Sequence, residues 1–167
     1  MKQSRQTSKG VPKEFLTKEW RQFKPKMESP LFHMHTIVND LYVVHTLVDN
    51  GAQAYASIRK DVAQRAKLEL LNIIPREAEG WLKGPLTTID QVAQLDIDVG
   101  GLGKRRAFAY VVAEQTEDLI LGRPWLKAEG ATIDEKNDCI SLDWTDTKIY
   151  SNTSKTRRTT TNYLKIN

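Results

Sequence analysis

Two apolar runs set far apart constrain this chain more than any other feature. The first, Leu41-Tyr42-Val43-Val44-His45-Thr46-Leu47-Val48, is rich in β-branched residues and stops abruptly at Asp49-Asn50-Gly51-Ala52. The second, Leu119-Ile120-Leu121, follows Asp118 and stops at Gly122-Arg123-Pro124-Trp125-Leu126. A strand that ends in Asp-Asn-Gly presents one carboxylate on a tight turn, with glycine where the chain must bend. Taken alone, Asp49 reads equally well as a functional acid or as a residue whose side chain caps its own turn. The question for the rest of the chain is what surrounds these two runs.

Most of what surrounds them reads as short strands. Phe32-His33-Met34-His35-Thr36-Ile37-Val38 is the first, and Asn39-Asp40 is a turn pair that tolerates positive φ, so the run ending at Val48 returns as its hairpin partner. Ser57 is placed to cap a helix through Lys67, with Ile58, Val62 and Ala66 on one side. Glu69 to Ile74 reads as strand and Pro75 as its stop. Residues 76–88, with Gly80, Gly84 and Pro85, read as a loop or hairpin tip. Val92 to Val99 alternates with period two, Gly100-Gly101-Leu102-Gly103 makes a turn, and Arg106 to Ala113 follows as strand. Pro124 opens a short helix or turn that holds Trp125 and Leu126. Thr132-Ile133-Asp134 and Asp138-Cys139-Ile140-Ser141-Leu142 close the series as a hairpin around Glu135-Lys136-Asn137. The sum is an all-β, barrel-like domain with one modest helix and no internal repeat.

Charge separates this body from its ends. Residues 1–30 carry 8 Lys/Arg against 3 Asp/Glu, residues 144–167 carry 5 against 1, and the body between them carries 12 against 17. The overall net charge of +4 therefore sits in the ends. The chain divides accordingly into a basic, largely disordered segment at 1–30, a folded domain at 31–143 and a basic, Thr-rich tail at 144–167. Glu14 to Phe23 is amphipathic enough for a short helix within the first segment. Basic tails of this kind either stay solvated or make weak, salt-dependent nucleic-acid contacts. No run approaches the roughly 20 apolar residues that span a bilayer, and the N-terminus has no apolar core of a secretory signal. The reading is accordingly no membrane partner. Cys139 is the only cysteine, which excludes an intrachain disulfide or cysteine metal cage and suits a reducing, intracellular setting.

Other chemistries find less support. His33 and His35 share one strand face but have no third ligand in the sequence around them. Ser57 lies in no Gly-x-Ser-x-Gly setting, and Gly100 to Lys104 lacks the Gly-Lys-Ser/Thr ending of a phosphate loop. Trp81, Trp125 and Trp144 read as packing residues.

From about His33 to Leu142 the order of elements resembles the retropepsin-like aspartic proteases, most closely those of fungal gypsy-type LTR retrotransposons. The resemblance rests on Leu47-Val48-Asp49-Asn50-Gly51-Ala52 and on Asp118-Leu119-Ile120-Leu121-Gly122-Arg123-Pro124-Trp125-Leu126, with Ile133-Asp134 and Ile140-Ser141-Leu142 as the last strands. It implies a closed-barrel-like acid-protease half-lobe with one or two short helices. It implies Asp49 as the catalytic carboxylate, Asn50, Gly51 and Ala52 as its loop, and Leu121-Gly122 as the psi-shaped crossing beneath. It implies a flap with its tip near Gly84 and Pro85. It further implies a polypeptide substrate from a retroelement polyprotein, no metal or organic cofactor, and a homodimer, because one chain supplies one such loop. The setting implied is the cytoplasm or a retroelement particle. One position departs from the pattern. Where the family has Ser or Thr after the aspartate, this chain has Asn50. An amide both donates and accepts hydrogen bonds, yet is bulkier than a hydroxyl. The alternative is therefore a retropepsin-fold dimerisation or binding module without activity.

Overall fold

The computed structural model describes residues 17–78 and 87–152. The chain divides into two compact units, Met1–Pro30 and Leu31–Asn167. In the first, helix α1 (Lys18–Phe23) begins where the Thr17 hydroxyl accepts a hydrogen bond from the Trp20 N–H at 3.2 Å. A 3-10 turn at Lys24–Lys26 follows, with Pro25 where a proline costs no hydrogen bond.

The second unit is organised by a seven-stranded sheet. Strands β1 (Phe32–Val38) and β2 (Tyr42–Val48) form the expected hairpin, with Val38 opposite Tyr42. Asn39 and Asp40 take φ of 52° and 61° at its tip, the left-handed pair that lets the strands twist together. Met34, Thr36 and Val38 turn inward from β1, and Val44, Thr46 and Val48 from β2. The two buried threonines share a hydrogen bond of 2.7 Å, which satisfies both hydroxyls inside the core.

Four more strands close a barrel. They are β3 (Ala56–Arg59), β5 (Thr87–Val99), β6 (Lys104–Val112) and β7 (Leu119–Leu121). Strand β7 pairs in parallel with β2 and antiparallel with β3, while β3 pairs in parallel with β6 and β6 antiparallel with β5. The far end of β5 then pairs antiparallel with β1, Ile97 to Val99 against Val38 to Thr36. The ring is thus β1-β2-β7-β3-β6-β5, closed on itself with no free edge. Strand β4 (Glu69–Ala78) lies outside the ring on the first half of β5, so β5 changes its partner along one edge from β4 to β1. Gly100 and Gly101, at φ of 69° and 72°, make the β5–β6 turn. Inside the ring Ile58, Leu119 and Leu121 are fully buried, and Trp125 nearly so. The all-β, barrel-like expectation agrees with this architecture.

Three local expectations differ from the structure. Ser57 does not cap a helix. It lies within β3, whose two edges are both taken by β6 and β7, and strand pairing on both sides outweighs a local helical pattern. The Ser57 hydroxyl donates to the side-chain carbonyl of buried Gln115 at 2.9 Å, and the Gln115 amide donates back to Ser57 O. The helix is only α2 (Lys60–Arg65), with Val62 and Ala63 as its buried residues. Pro75 does not end β4. The pairing shifts between Asn72 and Arg76 and resumes, because an edge strand tolerates a residue without an N–H at such an irregularity. The polar stretch after residue 146 still holds a strand. Strand β10 (Lys148–Tyr150) pairs with β9 (Cys139–Ser141), which pairs with β8 (Thr132–Asp134). Buried Ile149 anchors β10, and the Asn152 N–H donates to His33 O on β1.

Helix α3 (Arg123–Ala128) connects the barrel to this small sheet. The residue that caps its C-terminus, Glu129, is buried, and its carboxylate accepts the Trp144 indole N–H at 2.7 Å and faces the Arg105 guanidinium at 3.4 Å. Among the described residues no helix is long and apolar enough to cross a membrane.

Candidate active site

Asp49 is the first residue beyond β2, and the β2–β7 pairing fixes where it stands. Val48 pairs with Leu121, and the Asp49 N–H continues the ladder by donating to Leu121 O at 2.9 Å. The chain then turns on Asp49 itself. Its Oδ1 accepts the Gly51 N–H at 2.9 Å and its backbone carbonyl accepts the Ala52 N–H at 3.1 Å. The second carboxylate oxygen takes no part in either bond. The turn-capping and acid roles open in the sequence are thus compatible: one oxygen holds the loop, and the other is left to it.

The loop is pinned from below at three further points. The Gly122 N–H donates to Tyr55 O at 2.9 Å, the Arg123 N–H donates to Ala52 O at 2.9 Å, and Leu121 is fully buried beneath. The approach is close enough that a Cβ on Gly122 would stand 1.9 Å from Ala54 O and 2.8 Å from Ala52 O. Gly122 is therefore required by space. Gly51 lies outside the left-handed region, and a Cβ there would meet the Asp49 carboxylate at 3.3 Å. Its role is close approach to Asp49, in place of the free bending expected of it. Asn50 stands exposed at the tip, and its side chain makes no hydrogen bond among the described residues. It borders an open hollow of about 550 Å³ with Arg123, Leu126 and Lys127.

The other acids near these elements are engaged elsewhere. Asp118 pairs with Arg59 at 3.0 Å and accepts the His45 N–H at 2.9 Å. Asp134 caps its hairpin turn, where hydrogen bonds from the Asn137 side chain and then its backbone hold the carboxyl below the usual range. Tyr55, beside the loop, is a poorer acid than an ordinary phenol, because burial first and the Glu129 carboxylate next raise its pKa against the pull of Arg105. The loop tip expected near Gly84 and Pro85 lies outside the described residues; the last described pair of β4 and β5 is Ala78 with Thr87. His33 bonds to Glu117 at 3.2 Å, and His35 meets His45 across the hairpin with ring centroids 4.7 Å apart. Among the described residues no group of three or more His, Cys, Asp or Glu side chains could hold a metal ion.

The segment that leaves the Asp49 loop also lines a groove of about 590 Å³. Gln53 to Ala56 form one wall, Arg76 to Ala78 at the end of β4 form another, and Val92, Phe108 and Tyr110 lie between them. None of these residues stands out in the sequence as part of a site. The sequence reads Pro75 as a stop, so nothing local marks Arg76 and Ala78 as strand residues that share a face.

No protein-family model matches the chain, and no curated protein does. Solved structures do. The retroviral protease-like domain of Ddi1 from Leishmania major superposes with a TM-score of 0.51 at 24% identity, over 69% of this chain and 89% of that one. EIAV protease, complexed with the inhibitor HBY-793, matches with a TM-score of 0.44 at 19% identity, over 65% of this chain and 94% of that one. The fold is retropepsin-like: mostly β, a six-stranded mixed barrel with short helices.

Proposed function

We propose that this chain is an aspartic-type endopeptidase that works as a homodimer, with the Asp49 loops of two copies meeting on a two-fold axis. The observation that supports it best is the Asp49 loop itself. One carboxylate stands at the end of a barrel strand, held by Gly51 above and pinned to Leu121-Gly122 below. A single carboxylate cannot both take a proton from water and give one to a carbonyl oxygen, so a second copy supplies the partner. Two carboxylates brought close share one proton, because both cannot ionise easily, the behaviour for which aspartic proteases are the type case. The ionised member takes a proton from water as the water oxygen bonds to the peptide carbon. The protonated member gives its proton to the carbonyl oxygen. Collapse of that adduct breaks the C–N bond, and the leaving nitrogen takes a proton to depart as an amine. In this reading the substrate is a retroelement polyprotein and the setting is intracellular, in the cytoplasm or a particle.

Dimer dependence gives the direct test. Diluted through its dissociation constant, the protein should lose specific activity toward a peptide pool in proportion to concentration, in step with a fall from dimer to monomer mass. Activity that stays constant per chain while the protein is monomeric would sink the proposal.

A second reading, an inactive binding or dimerisation module, is favoured by Asn50 alone. If the amide serves as the lock between loops, wild type and Asn50→Ser should cleave the same peptides with kcat/KM within about tenfold. Cleavage by the serine variant and none by the wild type would identify the inactive module.

A further inference from the structure

We infer that Arg76 is a specificity determinant that selects an acidic side chain, glutamate above all, in the bound peptide. The inference rests on the endopeptidase reading given above. Arg76 opposes Ile89 in the β4–β5 register, and directly opposed residues share a face. Ile89 and Ala78 on that face are buried, at 1% and 6% exposure, while Arg76 itself stays exposed at the rim of the groove. An exposed arginine side chain samples many rotamers unless something holds it. Here Tyr110 does. One terminal nitrogen of Arg76 donates to the Tyr110 hydroxyl at 2.6 Å, and the guanidinium carbon lies 5.0 Å from the centre of the ring.

That tether leaves donors over. A guanidinium carries five N–H groups in a flat fork that suits a carboxylate. Four other arginines of this unit meet such a partner: Arg59 pairs with Asp61 and Asp118, Arg65 with Asp61, Arg105 with Glu129, and Arg106 with Asp96, whereas Arg123 has none among the described residues. Arg76 meets no carboxylate among the described residues. The adjacent Glu77 also borders the groove, but strand alternation sends it to the opposite face of β4. The groove floor beside the cation is apolar, with Phe108 half exposed and Ala54, Ala56 and Val92 around it. A glutamate side chain matches both parts, its methylenes over the floor and its carboxylate on the fork.

Position in the substrate follows from reach. Gln53 is four residues beyond Asp49, so this wall begins within about 14 Å of the carboxylate. Side chains on one face of an extended peptide recur about every 6.8 Å. The groove that Arg76 borders therefore begins within about four residues of the cleaved bond. A symmetric dimer carries two such grooves, so the preference appears on both sides of that bond.

The test uses short fluorogenic peptides with one central Phe-Leu pair and Ala or Ser elsewhere, carrying Glu, Gln or Lys at each flanking position in turn. Wild type should favour Glu over Gln by about tenfold in kcat/KM at a position on each side, as one charge-assisted hydrogen bond supplies. Arg76→Gln should bring the ratio to about one, and Arg76→Glu should turn it toward Lys. Equal cleavage of Glu and Gln peptides by wild type overturns the inference and leaves the endopeptidase reading standing. A preference for Lys would overturn it as well. If no peptide is cleaved, the endopeptidase reading is what fails. The same peptides with the central amide reduced then decide the point by equilibrium binding: tighter binding of the Glu form that Arg76→Gln abolishes supports the inference, and equal binding overturns it.

Discussion

Protein carrying Asp49→Asn should fold as the wild type does and lose peptide cleavage by at least about a thousandfold in kcat/KM. Asparagine keeps the oxygen that the loop needs. Its side-chain carbonyl can accept the Gly51 N–H in the place of Oδ1, and the bonds from Asp49 N–H to Leu121 O and from Ala52 N–H to Asp49 O involve only backbone. What asparagine cannot do is take a proton from water or share one with a second carboxylate. The substitution therefore separates the two roles that this residue combines. If Asp49 served the turn alone, asparagine would serve it equally and nothing measurable would change. If it is the acid, the melting temperature stays and the activity goes. Mixing adds a second readout. Random pairing of equal amounts of variant and wild type leaves about a quarter of dimers with both carboxylates, so activity should fall below the half expected of independent monomers. Unaltered cleavage by the pure variant would remove Asp49 from the chemistry.

The sequence carried this site unevenly, for physical reasons that differ from residue to residue. Asp49 and Gly122 were legible because each interrupts an apolar run, and such interruptions in strands have few causes. The hairpin tip at Asn39-Asp40 was legible because local turn chemistry suffices to make it. Ser57 was misread for the opposite reason. Its neighbours have a helical spacing, but its state is decided by its partners Tyr110 on β6 and Ile120 on β7, which lie more than fifty positions further on. A single chain gives no local sign of which strand will be sandwiched. Strand β10 was missed because one buried isoleucine, Ile149, and a few backbone bonds to β9 and β1 outweigh a polar composition. The groove was the least legible part. Phe108, Tyr110, Arg76 and Gln53 come from three distant segments, and only barrel closure brings them to one place. Arg76 shows this most plainly. On paper it follows a proline that reads as a stop. In the fold, pairing resumes at Arg76 itself and sets its exposed side chain at the edge of the groove, against Tyr110.

Gly122→Ala should be the most damaging single-methyl change in the barrel, with a loss of about 3 kcal/mol or more in stability and a fall of roughly 10 °C in melting temperature. The added carbon would meet the backbone carbonyls of Ala54 and Ala52, and a carbonyl cannot swing aside as a side chain can. Relief requires the whole 49–55 loop to move. Moving it strains the bonds from Gly122 N–H to Tyr55 O and from Arg123 N–H to Ala52 O, each worth about 1 kcal/mol or more when its groups are buried. Gly101→Ala supplies the contrast. Nothing stands within 4 Å of a Cβ at Gly101, so only the positive φ opposes it, and the loss should be about 1 kcal/mol. A denaturant series on both variants measures the difference. Activity carries the argument further. Because the Asp49 N–H hangs from Leu121 O, one residue before Gly122, a shift that spares the fold still displaces the carboxylate. A displacement of 1 Å at reacting groups costs on the order of a hundredfold in rate. Assayed at low temperature where it is fully folded, Gly122→Ala should therefore be far less active than its folded fraction predicts, whereas Gly101→Ala should track its folded fraction. If both variants tracked it, Leu121-Gly122 would be a packing element without a part in placing Asp49.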